Sequence, residues 1–158
     1  MQEKATFGAG CFWGVEATFR KTDGTDGTQV GYCGGHTGDP SYKNVCTGKT
    51  GHAEVVEVTF DPEIISYEQL LHIFWDCHNP THKNRQGPDI GSQYRSVIFY
   101  HTDEQKKYAE KVKEKFEQSN KYSEPIVTEI EPIKPFYKAE DYHQQYIEKR
   151  GLSNCHSN

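Results

Sequence analysis

Cys11 is the residue of this sequence most suited to covalent chemistry, because it lies between glycines and aromatic residues in GAGCFWG. A strand-like run ends before it, and we expect a helix to begin near Cys11. A thiol at a helix start lies near unpaired backbone N–H groups and the positive end of the helix dipole, which favour the thiolate. Phe12 and Trp13 can wall a small apolar recess beside the sulfur. The segment predicts either a reactive thiol with its substrate pocket or a small buried residue in an aromatic core.

Several segments rich in β-branched or aromatic residues could form the sheet that positions this cysteine. In residues 53–60, apolar and polar side chains alternate, which is typical of a strand in a sheet with one wet face. The predicted strands are residues 4–9, 28–33, 53–60, 95–100 and 126–131.

Helix patterns alternate with these strands. Ser66 with Gln69 and Thr102 with Gln105 have the spacing of a capping box ahead of helical segments. A further helix is predicted for residues 139–150. The order of elements predicts an α+β fold, an α/β sandwich in which helices pack against one mixed β-sheet. Residues 1–158 are expected to form a single domain.

The composition argues against two classes of partner. The formal charge of −5 and the pI near 5.9 leave no basic stripe to neutralise phosphates, which argues against nucleic-acid binding. No apolar run approaches the ~20 residues that cross a bilayer, and MQEKATF does not resemble a signal peptide. We therefore expect a cytoplasmic monomer that binds neither nucleic acid nor membranes.

The cysteines and histidines predict thiol chemistry rather than a metal site. Five cysteines are an odd number without the regular spacing of a disulfide-stapled domain, so a reducing compartment is expected. No CxxC pair of the zinc-ribbon type occurs. His78 and His82 have helical i, i+4 spacing, but Pro80 lies between them. We predict neither a metal nor another cofactor.

Segments along almost the whole chain resemble the signature segments of one enzyme family. GCFWG, GYCGGHTGDPSY, TGHAEVVEV, RQGPDIGSQYRS and FYKAEDYHQQYI occur in this order between about residues 8 and 150. In these segments the sequence resembles the peptide-methionine (S)-S-oxide reductases, the A-type methionine sulfoxide reductases. The resemblance implies a ferredoxin-like core and an enzyme that repairs oxidised proteins. Such an enzyme reduces the S epimer of methionine sulfoxide, free or in proteins, through a cysteine sulfenic acid.

The resemblance also implies roles for particular residues. A sulfoxide needs a thiolate, a proton donor and an apolar slot, and the matched residue types supply each of them. The acid can donate at neutral pH only if partial burial raises its pKa. By the family match, Cys11 is the nucleophile, Phe12 and Trp13 hold the substrate methyl group, Glu54 protonates the sulfoxide oxygen, Tyr42 and Tyr94 hydrogen-bond that oxygen, and Asp89 helps to hold the site and substrate.

Cys155 is the expected recycling thiol. It lies in GLSNCHSN, in a polar tail from about residue 151 to 158 that we expect to be mobile, and it falls where the family carries such a cysteine. A sulfenic acid on Cys11 would condense with this thiol to a disulfide, which the resemblance implies is reopened by thioredoxin. Cys33 in GYCGG is the alternative recycling thiol, whereas Cys46 and Cys77 are predicted to be packing residues.

Two other functions could use the same residues. In a cysteine hydrolase or acyltransferase, Cys11 would be activated by His36, His52 or His143. In a thiol-based peroxide sensor or binding module, Cys11 and Cys155 would switch conformation without turning over a sulfoxide. Only a reductase would form methionine from methionine sulfoxide and dithiothreitol, so that assay separates the three functions.

Overall fold

The computed structural model of the chain describes residues 2–151. Within this range, no helix has the length and apolar character needed to span a bilayer. The strands are β1 (Glu3–Ala9), β2 (Thr25–Cys33), β3 (Ala53–Phe60), β4 (Arg85–Gln86), β5 (Asp89–Ile90), β6 (Ser96–Tyr100), β7 (Glu129–Pro132) and β8 (Tyr137–Lys138). The helices are α1 (Phe12–Arg20), α2 (Tyr42–Cys46), α3 (Tyr67–Asp76), α4 (Asp103–Gln118) and α5 (Tyr146–Lys149), with 3-10 turns at Ser92–Tyr94 and Asp141–His143.

The main sheet has six strands in the order β7-β6-β1-β3-β2-β8. Neighbouring strands among β6, β1, β3 and β2 are antiparallel, and β7 is parallel to β6. In the succession β1-α1-β2-β3-α3-β6, helix α1 connects β1 to β2 and β3 lies between those two strands. This is the ferredoxin-like arrangement, a split βαβ unit. The predicted α+β fold with a mixed sheet is therefore confirmed.

Two glycines explain part of the GAGC pattern. Gly10 has a φ of +99°, a left-handed conformation that favours glycine, and it turns the chain from β1 into α1. A Cβ on Gly8 would lie 2.8 Å from Val97 Cγ1 and 3.2 Å from the carbonyl oxygen of Glu54. Glycine at position 8 lets the end of β1 approach β3 at Glu54, and glycine at position 10 turns the chain so that the next residue, Cys11, lies at the start of α1.

The main core lies between one face of the sheet and the helices. Phe7 of β1 is fully buried, and its ring centroid lies 5.2 Å from that of Phe19 on α1 and 5.1 Å from that of Phe74 on α3. A smaller buried cluster, which contains Cys33 and Phe99, lies on the opposite face. Burying one such aromatic ring contributes about 1.5–3 kcal/mol relative to leaving it exposed. The stacked rings therefore hold α1 against β1.

The predicted helix starts at Ser66 and Thr102 are confirmed. The Ser66 hydroxyl accepts from the Gln69 N–H at 3.1 Å, and the Gln69 side chain accepts from the Ser66 N–H at 2.8 Å, which is a complete capping box. Thr102 likewise accepts from the Gln105 N–H. The Gln105 side chain does not return to Thr102 but donates to the Lys4 carbonyl oxygen at 2.8 Å, and this bond ties α4 to β1.

The continuous helix predicted for residues 139–150 is wrong. Only the 3-10 turn Asp141–His143 and the four-residue α5 form there. Gln144 is buried, and its side chain accepts from the Val30 N–H and donates to the Val30 carbonyl oxygen, both at 2.9 Å. Gln145 has a φ of +50° and interrupts any helix at that point. The segment follows the edge of β2 because its side chains replace the hydrogen bonds of a neighbouring strand.

Candidate active site

Cys11 is the N-cap residue of α1, so the predicted helix start near this cysteine is confirmed. Its φ of −56° and ψ of 122° are not helical, and the first helical residue is Phe12. The side chain is half-buried and forms no disulfide with another described cysteine. This position places the sulfur at the positive end of the helix dipole, where a thiolate is favoured.

Glu54 connects the central strand β3 to the start of α1. It pairs with Tyr32 of β2 in the sheet register and is only 1% exposed. Its Oε1 accepts a hydrogen bond from the Phe12 N–H at 3.1 Å. Because Phe12 follows Cys11 directly, this bond joins the buried carboxyl group to the helical turn that carries the thiol. Loss of hydration on burial disfavours a charged carboxylate, which suits a proton donor.

Phe12, Trp13 and Tyr42 form the aromatic side of the site. The Tyr42 ring centroid lies 6.4 Å from that of Phe12 and 6.5 Å from that of Trp13, with interplanar angles of 23° and 18°. Phe12 is buried, whereas Trp13 and Tyr42 are half-buried and reach solvent. The three rings therefore give the start of α1 an apolar surface, which is the environment that a methyl group prefers.

Tyr42 and Tyr94 both lie close to Glu54. Burial raises the pKa of both phenols well above their ordinary value, and Glu54 raises it further once that carboxyl group is ionised at high pH. The Cys11 thiolate acts on Tyr94 in the same direction, so Tyr94 also lies near the sulfur. Both hydroxyls are neutral donors at physiological pH and are suited to stabilising an oxygen that gains negative charge.

Asp89 enters the site through a small hairpin. It lies on β5, where it pairs with Gln86 of β4, and it is half-buried. Its negative charge contributes to the raised pKa of Tyr94, which lies in the following 3-10 turn. The structure thus brings Asp89, Tyr94 and Glu54 into one neighbourhood.

Residues 139–146, here called the C-terminal segment, complete the aromatic side of the site. The Trp13 Nε1–H donates to His143 Nδ1 at 2.9 Å. The Tyr146 ring stacks on Trp13, with 3.8 Å between centroids and an interplanar angle of 6°. Sequence reasoning missed both contacts, although FYKAEDYHQQYI contains these residues and was singled out as a motif.

Glu140 of the same segment binds two further parts of the site. Its Oε1 accepts from the Tyr32 hydroxyl at 2.8 Å, and its Oε2 accepts from the Tyr42 N–H at 3.0 Å. Burial alone would raise the pKa of Glu140, but hydrogen bonds from the Tyr42 N–H, its own N–H and the Tyr32 hydroxyl lower it below the ordinary value. Glu140 is therefore a carboxylate at neutral pH. Nothing in its immediate sequence indicated these partners.

Cys33, the alternative recycling thiol, lies away from the site. It is fully buried in the cluster on the opposite face of the sheet, whereas its neighbour Tyr32 packs against Phe12 on the site face. Its Sγ donates to the Lys134 carbonyl oxygen at 3.4 Å, and burial raises the pKa of the thiol. This position does not favour a part in recycling. Cys155 lies outside the described residues, so its role remains a prediction.

Cys46 lies at the site, and the packing role predicted for it is wrong. It is exposed at the end of α2, one turn after Tyr42. Although the residue is exposed, partial loss of hydration at its sulfur and the charge of Glu54 raise the pKa of its thiol, while a hydrogen bond with the Tyr42 side chain opposes the shift. Cys77, in contrast, donates to the Phe74 carbonyl oxygen at 3.2 Å, and burial raises the pKa of its thiol to about 12.

The histidines do not favour a hydrolase. His52 Nδ1 accepts from the Gly35 N–H at 3.0 Å, and His52 Nε2 lies 2.7 Å from the Thr37 carbonyl oxygen, so both ring nitrogens have other partners. The Nδ1 of His143 is occupied by Trp13, and His36 is exposed. Residues 2–151 also contain no cluster of three or more His, Cys, Asp or Glu side chains suited to a metal ion.

The His143 contact predicts a pH-dependent stability. Burial lowers the pKa of His143, although the charge of Glu140 opposes the shift. A lowered pKa in the folded state means that stability falls as pH drops through the unfolded value of about 6.5. We expect wild type to lose more free energy of unfolding between pH 7.5 and pH 5 than His143→Asn, measured by urea titration. The asparagine amide oxygen can still accept from Trp13 but does not titrate.

Burial also lowers the pKa of His101, but this second histidine does not affect the comparison. It is present in both proteins, so its contribution cancels in the difference. Equal losses of stability in wild type and His143→Asn would contradict the prediction.

Comparison with known proteins identifies the family. The family model described as Peptide methionine sulfoxide reductase matches residues 3–158. Peptide methionine sulfoxide reductase MsrA of Methanothermobacter thermautotrophicus is 60% identical over 154 residues, which cover 98% of this chain and 91% of the relative. The crystal structure of Mxr1 from Saccharomyces cerevisiae in reduced form superposes with a TM-score of 0.90 at 40% identity, covering 98% of this chain and 90% of that chain.

A second structure of Mxr1 from Saccharomyces cerevisiae was solved in complex with Trx2. It superposes with a TM-score of 0.62 at 29% identity and covers 92% of this chain and 84% of that chain. The family model, which matches residues 3–158, and these similar proteins all indicate the same family. The chain belongs to the peptide methionine sulfoxide reductases of the MsrA type and is an enzyme of that family.

Proposed function

We propose that this protein reduces the S epimer of methionine sulfoxide, free or within proteins, to methionine and so repairs oxidised proteins. The observation that carries the proposal is the hydrogen bond of 3.1 Å between the Phe12 N–H and Glu54, which joins a buried acid to the turn bearing Cys11. Membership of the family supports the reduction of methionine sulfoxide. The epimer and the roles of individual residues are inferred from the site.

The first step transfers oxygen from substrate sulfur to enzyme sulfur. The Cys11 thiolate attacks the sulfoxide sulfur while Glu54 gives a proton to the oxide, which is a poor leaving group until it is protonated. The S–O bond of the substrate breaks, the hydroxyl passes to Cys11, and methionine is released. The substrate sulfur is reduced by two electrons and Cys11 is oxidised to a sulfenic acid.

The surrounding side chains position the sulfoxide. Tyr42 and Tyr94 donate to its oxygen as neutral phenols, as their raised pKa values allow. Phe12 and Trp13 contact the methyl group through the apolar surface that they form at the start of α1. Asp89 holds the site and the substrate through its position beside Tyr94. A chiral sulfur with its oxide and methyl group fixed in this way fits one epimer.

The second step restores a thiol on Cys11. The Cys155 thiol attacks the sulfenic sulfur, a disulfide forms, and water leaves. Gly151, the last described residue, follows α5, whose Tyr146 lies on Trp13. Four residues extend at most about 14 Å, so Cys155 is within about that distance of Gly151. This short tether to the pocket supports Cys155 as the recycling thiol.

A dithiol protein of the thioredoxin class then reopens the disulfide. The two electrons pass from the dithiol to Cys11 and Cys155, and the partner leaves as a disulfide. The complex of the related Mxr1 with Trx2 supports this partner. Such a cycle requires a reducing compartment, in accord with a cytoplasmic location.

The function predicts a stereospecific reaction. The protein is incubated with dithiothreitol and a mixture of both sulfur epimers of methionine sulfoxide. It should form methionine and consume only the S epimer, as followed by chiral separation of the remaining sulfoxide. Cys11→Ser is the control and should form no methionine. Equal consumption of both epimers would contradict the proposed pocket, and a wild-type protein that forms no methionine would overturn the function.

Glu54→Gln tests the proton donor. The amide can still accept from the Phe12 N–H but has no acidic proton, so we expect the single-turnover rate to fall about 10²- to 10⁴-fold. Glu57→Gln is the matched control on the same strand, because Glu57 pairs with Lys4 at 3.4 Å and is remote from Cys11 in the register. A Glu54→Gln rate close to wild type would show that the proton comes from another group.

Cys155→Ser tests the recycling thiol. This variant should release one methionine per Cys11 and accumulate the sulfenic acid, because no thiol captures it, and should turn over poorly with thioredoxin. Peptide mapping of wild type after one turnover without reductant should find Cys11 linked to Cys155. Cys33→Ser is the control and should behave as wild type. A link from Cys11 to Cys33, with full thioredoxin-dependent activity in Cys155→Ser, would reverse the assignment.

A further inference from the structure

Glu140 links three segments that are far apart in the chain. Its two carboxylate oxygens accept from the Tyr32 hydroxyl at 2.8 Å and from the Tyr42 N–H at 3.0 Å, across 108 and 98 residues. Tyr32 belongs to β2, Tyr42 begins α2, and Glu140 precedes the 3-10 turn that contains His143. The carboxylate therefore fixes the start of α2 relative to the sheet.

Helix α2 needs this support. It has only five residues, and so short a helix is not stable alone. The Tyr42 N–H belongs to its first turn and has no acceptor within the helix. Ser41 caps the helix by accepting from the Asn44 N–H at 3.2 Å, which leaves the Tyr42 N–H to Glu140. A charged acceptor makes this bond about twice as strong as a neutral one.

The position of the Tyr42 ring depends in part on what holds its main chain, because the ring projects from the first residue of α2. The ring centroid lies 4.4 Å from that of His143 and more than 6 Å from those of Phe12 and Trp13. At its hydroxyl end it meets Cys46 and the charge of Glu54. A shift of the Tyr42 backbone nitrogen would therefore also displace the hydroxyl group of the Tyr42 side chain.

We infer that Glu140 is a positioning residue for sulfoxide reduction: by binding the Tyr42 N–H it holds the Tyr42 hydroxyl where the substrate oxide lies. The inference rests on the proposed function, in which that hydroxyl donates to the oxide. Glu140 itself does not touch the substrate. Its effect on the reaction passes through Tyr42, and this separates it from a residue that only stabilises the fold.

A double-mutant cycle tests the inference. Single-turnover rates at saturating methionine sulfoxide are measured for wild type, Glu140→Ala, Tyr42→Phe and the double variant. Tyr42→Phe keeps the ring and should slow the step about 10- to 100-fold, less than the full loss of a sole oxyanion donor because Tyr94 remains. Glu140→Ala should slow it about 10-fold, since a small misplacement of a donor is costly. In the Tyr42→Phe background, Glu140→Ala should add less than about twofold.

Two variants distinguish positioning from charge or stability. In Glu140→Gln, the amide oxygen can accept from the Tyr42 N–H and the amide nitrogen can donate to the Tyr32 hydroxyl, so the rate should stay within about threefold of wild type. Glu148→Ala removes an acid of α5 that is 59% exposed and pairs with Arg20, and its rate should be unchanged. If Glu140→Ala does not fold, Glu140→Asp replaces it, because its shorter side chain cannot span both donors.

The outcomes separate the inference from the proposed function. Equal effects of Glu140→Ala in the wild-type and Tyr42→Phe backgrounds would overturn the inference while leaving the reductase activity established. A Tyr42→Phe rate equal to wild type would overturn the roles of both Tyr42 and Glu140. A wild-type protein that does not reduce the sulfoxide would overturn the proposed function, and the inference with it.

Discussion

The hydrogen bond from the Phe12 N–H to Glu54 is the contact around which the site is built. A carboxyl group that is 1% exposed needs a polar partner, and the first turn of a helix has N–H groups that need an acceptor. One bond of 3.1 Å satisfies both requirements. It also fixes the distance between acid and thiol, because Cys11 and Phe12 are consecutive. The close approach of β1 to β3 at Gly8 makes the bond possible.

The opposite side of the site depends on contacts between residues that are remote in sequence. Trp13 and His143 are 130 residues apart, and Val30 and Gln144 are 114 apart. These bonds come from side chains and not from a regular strand or helix. The aromatic side of the site therefore forms only when the two ends of the chain have come together. Non-local contacts of this kind form late, after the entropy of loop closure has been overcome.

Local patterns in the sequence predict the main strands and helix starts but not the conformation of the C-terminal segment. The strand at residues 53–60 follows from its alternation, and the helix start at Ser66 follows from its capping box, because both signals act within a few residues. The helix predicted for residues 139–150 failed because Gln144 bonds to Val30 in place of a helical turn. A glutamine carries no sign of a partner so far along the chain, and the same is true of Glu140.

The residues of the candidate site also differ in how well the sequence predicts their roles. Cys11 and Glu54 lie in segments whose residue types already indicate their chemistry, and the structure places them together. Cys46 is the opposite case, because the segment VCTG predicts an ordinary packing residue. In the structure, Tyr42 and Cys46 lie four residues apart in the short helix α2, and this brings the Cys46 thiol to the Tyr42 hydroxyl. Exposure of a small residue depends on what the rest of the chain covers, and spacing does not reveal this.

The two tryptophans of the chain lie in contrasting surroundings. Trp75 is fully buried in the core and donates to the Thr128 hydroxyl at 3.0 Å, whereas Trp13 is half-buried, stacked on Tyr146 and bonded to His143. Indole fluorescence responds to polarity and to neighbouring rings. The emission of this protein therefore has two separable sources: Trp75 reports whether the core is folded, and Trp13 reports what lies beside the thiol.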